Sequence, residues 1–144
     1  MQEFLMIIEN GKLEQVRLRD VRIFKDDENI LVIEEIVELL PTAVDVAFNQ
    51  VFPEMYTPET AQNLAFLDRS MIKFESFELA QIPQNFDISM FGLFLKANMI
   101  PKAFITLRLQ QNIGEIFRNE FQHFCETIKL DWDPIYEAPR INLI

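Results

Sequence analysis

One cysteine, one histidine and three glycines in 144 residues leave this chain short of the side chains that most enzyme classes require. A lone Cys125 forms no intramolecular disulfide, and a zinc site needs three or four His, Cys or acidic ligands at paired spacings that do not occur here. Three scattered glycines build neither a Walker loop nor a dinucleotide loop. Ser70, Ser76 and Ser89 stand in no Gly-x-Ser-x-Gly setting. His123 and Cys125 lie two residues apart in a helical stretch and point about 200° away from each other, so they read as a surface imidazole beside a half-buried thiol. No apolar run approaches the ~18 residues of a membrane span. The longest, Phe86 to Ile100, is broken by Asp87 and Lys96. The acidic start Met1-Gln2-Glu3 lacks the basic region of a secretory signal. These absences lead us to expect a soluble cytoplasmic protein with no enzymatic activity, no cofactor, no metal and no membrane partner.

What the chain does hold is apolar mass. Hydrophobic residues make up 49% of it, with fourteen phenylalanines. That composition excludes disorder, and this length is enough to bury roughly 70% of the unfolded surface in one domain. The phenylalanines and six methionines read as core filling before they read as a ligand cavity.

Hydrophobic periodicity gives a coarse map. The apolar run Glu3 to Glu9 and the turn pair Asn10-Gly11 predict an N-terminal hairpin returning near Lys12. Val16 and Leu18 share one phase while Val21 and Ile23 share the other, which places a bulge near Arg19-Asp20. Ile30–Val37 is β-branched and reads as a strand, although Ile33, Ile36, Val37 and Leu40 also fit helical spacing. Pro41 suits a short helix to about Phe52. Thr57-Pro58-Glu59 starts another that runs to about Ser70. Met71 to Leu79 reads as a strand, and Phe86, Ile88, Met90 and Phe94 as alternating residues of a further one. Ala103, Ile105, Leu107 and Leu109 alternate against Lys102, Thr106, Arg108 and Gln110, with Phe104 the one exception. Lys96 to Pro101 would join those last two as an antiparallel pair. Asn112 to Lys129 is an amphipathic helix with a stripe of Ile113, Ile116, Phe117, Phe121, Phe124 and Ile128. From about residue 130 the tail, with Pro134 and Pro139, reads as irregular. No repeat stands out. Strands and helices come in groups, so the expectation is a single α+β domain: a mainly antiparallel sheet, N-terminal hairpin plus later strands, packed against about three helices.

Charge is segregated along the chain. Asp26 to Asp87 carries thirteen carboxylates against only Arg69 and Lys73, while the stretches on either side are nearly balanced. The net charge of −10 therefore sits in the middle. It argues against direct nucleic-acid binding, which needs clustered Lys and Arg, and it suits attraction of a basic protein. Asp26, Asp27, Glu28, Glu34, Glu35, Glu38, Asp45, Glu54 and Glu59 would supply the field and Tyr56 an aromatic anchor. The role implied is that of an inhibitor or immunity protein, occluding a basic partner. The alternatives are a homo-oligomeric adaptor using the two-sided apolar segment Phe91, Leu93 and Leu95, and an acid-dependent hydrolase or small-ligand carrier, which requires convergent carboxylates in a pocket. Asp26-Asp27-Glu28 lacks the glycine and distal glutamate of a calcium loop, and Asp131 and Asp133 around Trp132 read as part of a docked tail.

Overall fold

Strands and helices alternate along this chain, and every strand runs the same way. The structure is a computed structural model that describes residues 13–69, 72–133, 135 and 137–144. In chain order it comprises β1 (Gln15–Arg19), α1 (Ile33–Glu38), β2 (Asp45–Gln50), a 3-10 turn (Pro53–Met55), α2 (Thr60–Ala65), β3 (Phe74–Ile82), α3 (Ile88–Asn98), β4 (Met99–Leu109), α4 (Glu115–Leu130) and β5 (Arg140–Leu143). The sheet order is β1-β2-β3-β4-β5 and all four pairings are parallel. This overturns the expected antiparallel α+β arrangement: the fold is α/β. The hairpin expected around Asn10-Gly11 lies outside the described residues.

The physical reason for the misreading is the length of the crossovers. α1 and α2 have six residues each, too few for a 3.6-residue period to show in sequence. Ile30–Val37 contributes a helix from Ile33, whose first turn is fixed by Glu35 accepting the Val32 N–H at 3.0 Å. The expected helix after Pro41 is instead β2. The expected strand around Phe86–Phe94 is α3, begun by Asp87, whose side chain accepts the Met90 N–H. Two-sided apolarity there reflects a helix enclosed by neighbours: Phe91 and Leu95 are fully buried and only Leu93 is exposed. The tail ends in β5, which pairs with β4 from Phe104↔Arg140 onward. The helix of Asn112–Lys129 and the strand of Ala103–Leu109 stand where the periodicity puts them, although Ile116 turns outward and Gly114 takes the cap position.

Registered residues explain what holds the layers together. Val16, Val46, Phe77, Ile105 and Ile141 sit side by side across the sheet, as do Leu18, Phe48, Leu79, Leu107 and Leu143. Both rows face the helices: Phe77 meets Phe94 of α3 with ring centroids 5.2 Å apart, and Phe117, Phe121, Cys125 and Ile128 of α4 join the same buried cluster. Successive helices pack on one another, so they form one layer on one face. The register slips at Leu18/Arg19, beside Asp20 at φ 53°, where the phase change in the sequence falls. Neither described glycine has positive φ; that conformation falls to Asp20, Gln81, Asn85 and Lys102.

Gly92 matters for closeness instead. A Cβ there would meet Phe124 Cε2 at 2.9 Å, where α3 crosses α4. Gly92→Ala is expected to destabilise the fold by about 1 kcal/mol, the overpacking loss exceeding the helix-propensity gain. Chemical denaturation checks this, and an unchanged or higher midpoint would mean the Phe124 ring yields freely.

Candidate functional site

Alternation along the strands leaves the second face of the sheet without a described helix. Its first row is Gln15, Asp45, Ser76, Phe104 and Arg140, and its second is Arg17, Ala47, Glu78, Thr106 and Asn142. Residues of the first row are separated by 30, 31, 28 and 36 positions in the chain. That near-constant spacing is a structural period that the sequence does not repeat, and each turn of the winding delivers one side chain to the row. Five strands at their usual spacing make this face about 20 Å wide.

The face is polar and uneven in charge. Arg17 Nη2 approaches Asp45 Oδ2 at 3.4 Å and Arg108 Nη2 approaches Glu78 Oε1 at 3.6 Å. Both acids are tucked in, with side chains 17% and 15% accessible, while the arginines are largely exposed. Asp45 Oδ1 and Glu78 Oε1 are buried and accept no hydrogen bond among the described residues; 3.6 Å is too long for one. Arg140 lies over the Phe104 ring at 5.2 Å from its centroid. Phe104 itself is 55% exposed, in contrast to its strand neighbours Ala103 and Ile105, which are buried.

Most of the acids named from the sequence lie elsewhere, and they do not form one surface. Asp26, Asp27 and Glu28 sit in the connection after β1, where Asp26 Oδ1 accepts the N–H groups of Glu28 and Asn29. Bonds from the Asn29 side chain and then from these two N–H groups hold the Asp26 carboxyl below its ordinary range. Glu54, after β2, pairs with Arg22 at 2.8 Å. The Glu54 carboxyl is lowered first by a backbone hydrogen bond and then by Arg22. Glu35 pairs with Lys25 at 2.9 Å. Burial works against its charged form, but Lys25 and the Val32 N–H outweigh that and lower it. These groups share one end of the sheet, around a groove that Arg22, Lys25, Glu28 and Glu54 line together. Glu34 is buried on α1 and accepts from Asn63 at 3.1 Å. Glu38 and Glu59 are exposed on the helical side. Tyr56 donates to the Ala80 carbonyl at 2.6 Å and packs edge-on against Phe86. Its hydroxyl is thereby committed, and burial raises its pKa well above the ordinary value. Of the ten residues, only Asp45 belongs to the helix-free face.

Sequence reasoning missed Ser76, Glu78, Phe104, Thr106, Arg140 and Asn142. One signal was available: Phe104 is the single apolar residue on the polar phase of the clearest strand. Nothing in the sequence announced the rest, because the partner strands were not known.

Asp26, Glu35 and Glu54 are displaced downward, opposite to what a general acid needs. Asp131 and Asp133 line a cavity of about 560 Å³ together with Lys73, Lys96 and Trp132, so cations stand among the carboxylates there. Burial pushes the Cys125 thiol up to about 11, away from nucleophilic use. His123, two residues away, is exposed, with Nε2 3.5 Å from Thr127 Oγ1. No three His, Cys, Asp or Glu side chains gather to hold a metal ion among the described residues. No helix among them is long and apolar enough to cross a membrane. A sheet ordered 1-2-3-4-5 also has no reversal of strand order, and such a reversal is what opens the ligand crevice in doubly wound α/β proteins. Comparison with protein-family models, with curated proteins and with solved structures finds no match for this chain.

Proposed function

We propose that this chain is a non-enzymatic protein-recognition module, an adaptor that seats a protein partner on the helix-free face of its sheet. The observation that carries the reading is the one-sidedness of the sheet: the helices cover one face, and the other presents two registered rows of polar and aromatic side chains. Solenoid proteins bind partners along the extended surface that their stacked units share, and these registered rows offer a surface of that general kind.

The polarity of the face favours protein over nucleic acid. Asp45 and Glu78, whose side chains keep 17% and 15% accessibility near its centre, offer acceptors to a partner that brings N–H groups. A phosphate backbone brings only acceptors and negative charge. A polypeptide supplies donors for the centre and other chemistry for the flanks, with Phe104 as the aromatic anchor.

Immobilised chain exposed to extract from its native cell tests this. The isosteric double variant Asp45→Asn/Glu78→Gln and the single variant Phe104→Ala are expected to retain roughly ten-fold less of the bound partner than the parent chain. A control on the outer surface of α4, Glu120→Gln, is expected to retain as much as the parent. Equal retention by the face variants and the parent ends the proposal.

A second reading keeps the basic partner. The connection after β1 is held by the Asp26 turn and a Phe24↔Ile30 bridge, and it exposes Asp27, Glu28 and a Phe24 that is 48% accessible. A preordered acidic loop beside an exposed ring suits a basic surface. In that case Asp27→Asn/Glu28→Gln, and not the face variants, abolishes retention.

A further inference from the structure

We infer that the β5 edge of the sheet, where the helix-free face meets the end of α4, is an anion pocket that takes an acidic segment of the protein partner, a carboxylate next to an apolar side chain. This rests on the recognition reading above and adds the chemistry of what is recognised. The cavity holds about 470 Å³; Phe104, Thr106, Arg140 and Asn142 line it from the helix-free face, Lys129 from the end of α4, and Ile105 and Ile141 from the strands between. It contains two cations and no carboxylate.

Arg17, Arg22, Lys25, Lys102 and Arg108 each have a carboxylate within 4 Å. Arg140 and Lys129 have none among the described residues, and although Arg19, Arg69, Lys73, Lys96 and Arg118 also have none, these two share one cavity that no carboxylate lines. The Thr106 hydroxyl and the Asn142 amide make no side-chain hydrogen bond among the described residues either, so four residues with donor groups line one cavity without a carboxylate among them. Their positions are set by register: Phe104↔Arg140 and Thr106↔Asn142 are direct neighbours on adjoining strands. Phe104 supplies an exposed apolar floor, already covered from one side by the Arg140 guanidinium.

Charge complementarity assigns the occupant. A planar guanidinium fork matches a carboxylate in two parallel hydrogen bonds, and an ammonium and two neutral donors complete its coordination. The apolar neighbour of that carboxylate lies on Phe104. The net charge of −10 does not prevent this, because at physiological salt its field decays over about 8 Å while the pocket contacts are direct.

N-acetylphenylalanine, one carboxylate and one ring, serves as the minimal probe of such a segment. Titrated to about 10 mM into the isotope-labelled chain, it is expected to shift the amide resonances of residues 104–107 and 139–143 saturably, as millimolar affinity requires. N-acetylphenylalaninamide, without the carboxylate, is expected to leave them in place. Arg140→Gln is expected to weaken binding about ten-fold or more. Arg118→Gln, on the exposed surface of α4, is expected to change nothing. Absence of shifts at these residues, equal shifts with the amide, or tighter binding of phenyl phosphate overturns the assignment. Should that happen while Asp45→Asn/Glu78→Gln still loses the captured partner, the anion pocket falls and the docking face stands.

Discussion

Replacing Arg69 with methionine is expected to remove about 3–5 kcal/mol of stability, on the order of 10 °C in melting temperature for a domain of this size. Arg69 is buried, and its guanidinium donates to four backbone carbonyls: Ile72, Leu40, Pro41 and Ala43. It also lies 3.9 Å from the centroid of Phe74. Leu40, Pro41 and Ala43 belong to the connection between α1 and β2, while Ile72 precedes β3. One side chain therefore ties two successive crossovers to each other. Methionine has similar length and fills the space, so the loss comes from carbonyls left without donors, each worth about 1–3 kcal/mol and not additive. Burial lowers the Arg69 pKa to about 10, still well above neutrality, so the charge-assisted bonds persist at physiological pH. Arg69→Lys, a single point donor without the fork, is expected to fall between the two. Urea denaturation with the slope checked for constancy measures this, and a loss of Arg69→Met below about 1 kcal/mol would show the carbonyls find other donors.

Phe77→Ala is expected to lose about 3–5 kcal/mol, because no water or neighbouring side chain can refill the site. Phe77 is fully buried and contacts the rings of Phe48, Phe74 and Phe94 at 6.3, 5.2 and 5.2 Å. It links β2, β3 and α3 at the middle of the molecule. Phe104→Ala, one strand away, is expected to change stability by less than about 0.5 kcal/mol, since an exposed ring gives up little burial. The pair separates two uses of the same residue type: Phe77 holds the fold, and Phe104 is the anchor of the proposed docking face. Comparable losses from both would mean that Phe104 is structural and would remove the anchor from the proposed docking face.

The sequence made the elements with long or strict periods legible. The sixteen-residue α4 and the alternation within β4 showed themselves because many residues voted for one period. The six-residue α1 and α2 could not, and a β-branched entry such as Ile30-Leu31-Val32-Ile33 biased the reading toward a strand. Strand direction was lost with them. A parallel pair needs a crossover between its strands, and unseen crossovers make consecutive strands look like hairpins. For the site, counting charge along the chain found a real segregation, but not where folding puts it. Arg17 comes from the nearly balanced N-terminal stretch and Asp45 from the acidic one, and they become neighbours on adjoining strands. Glu34, in the middle of the acidic stretch, turns into the interior beside Asn63. A linear tally weighs these carboxylates equally with Asp27 and Glu28, which remain exposed.

The even pitch of the strands has one more implication. A wall in which each course rests only on the one before it has no keystone and no fixed height. Adding another coil of about thirty residues would widen the helix-free face while every existing strand kept its neighbours. If that face docks a partner as proposed, its specificity is free to change one column at a time, through the side chains that each coil offers outward.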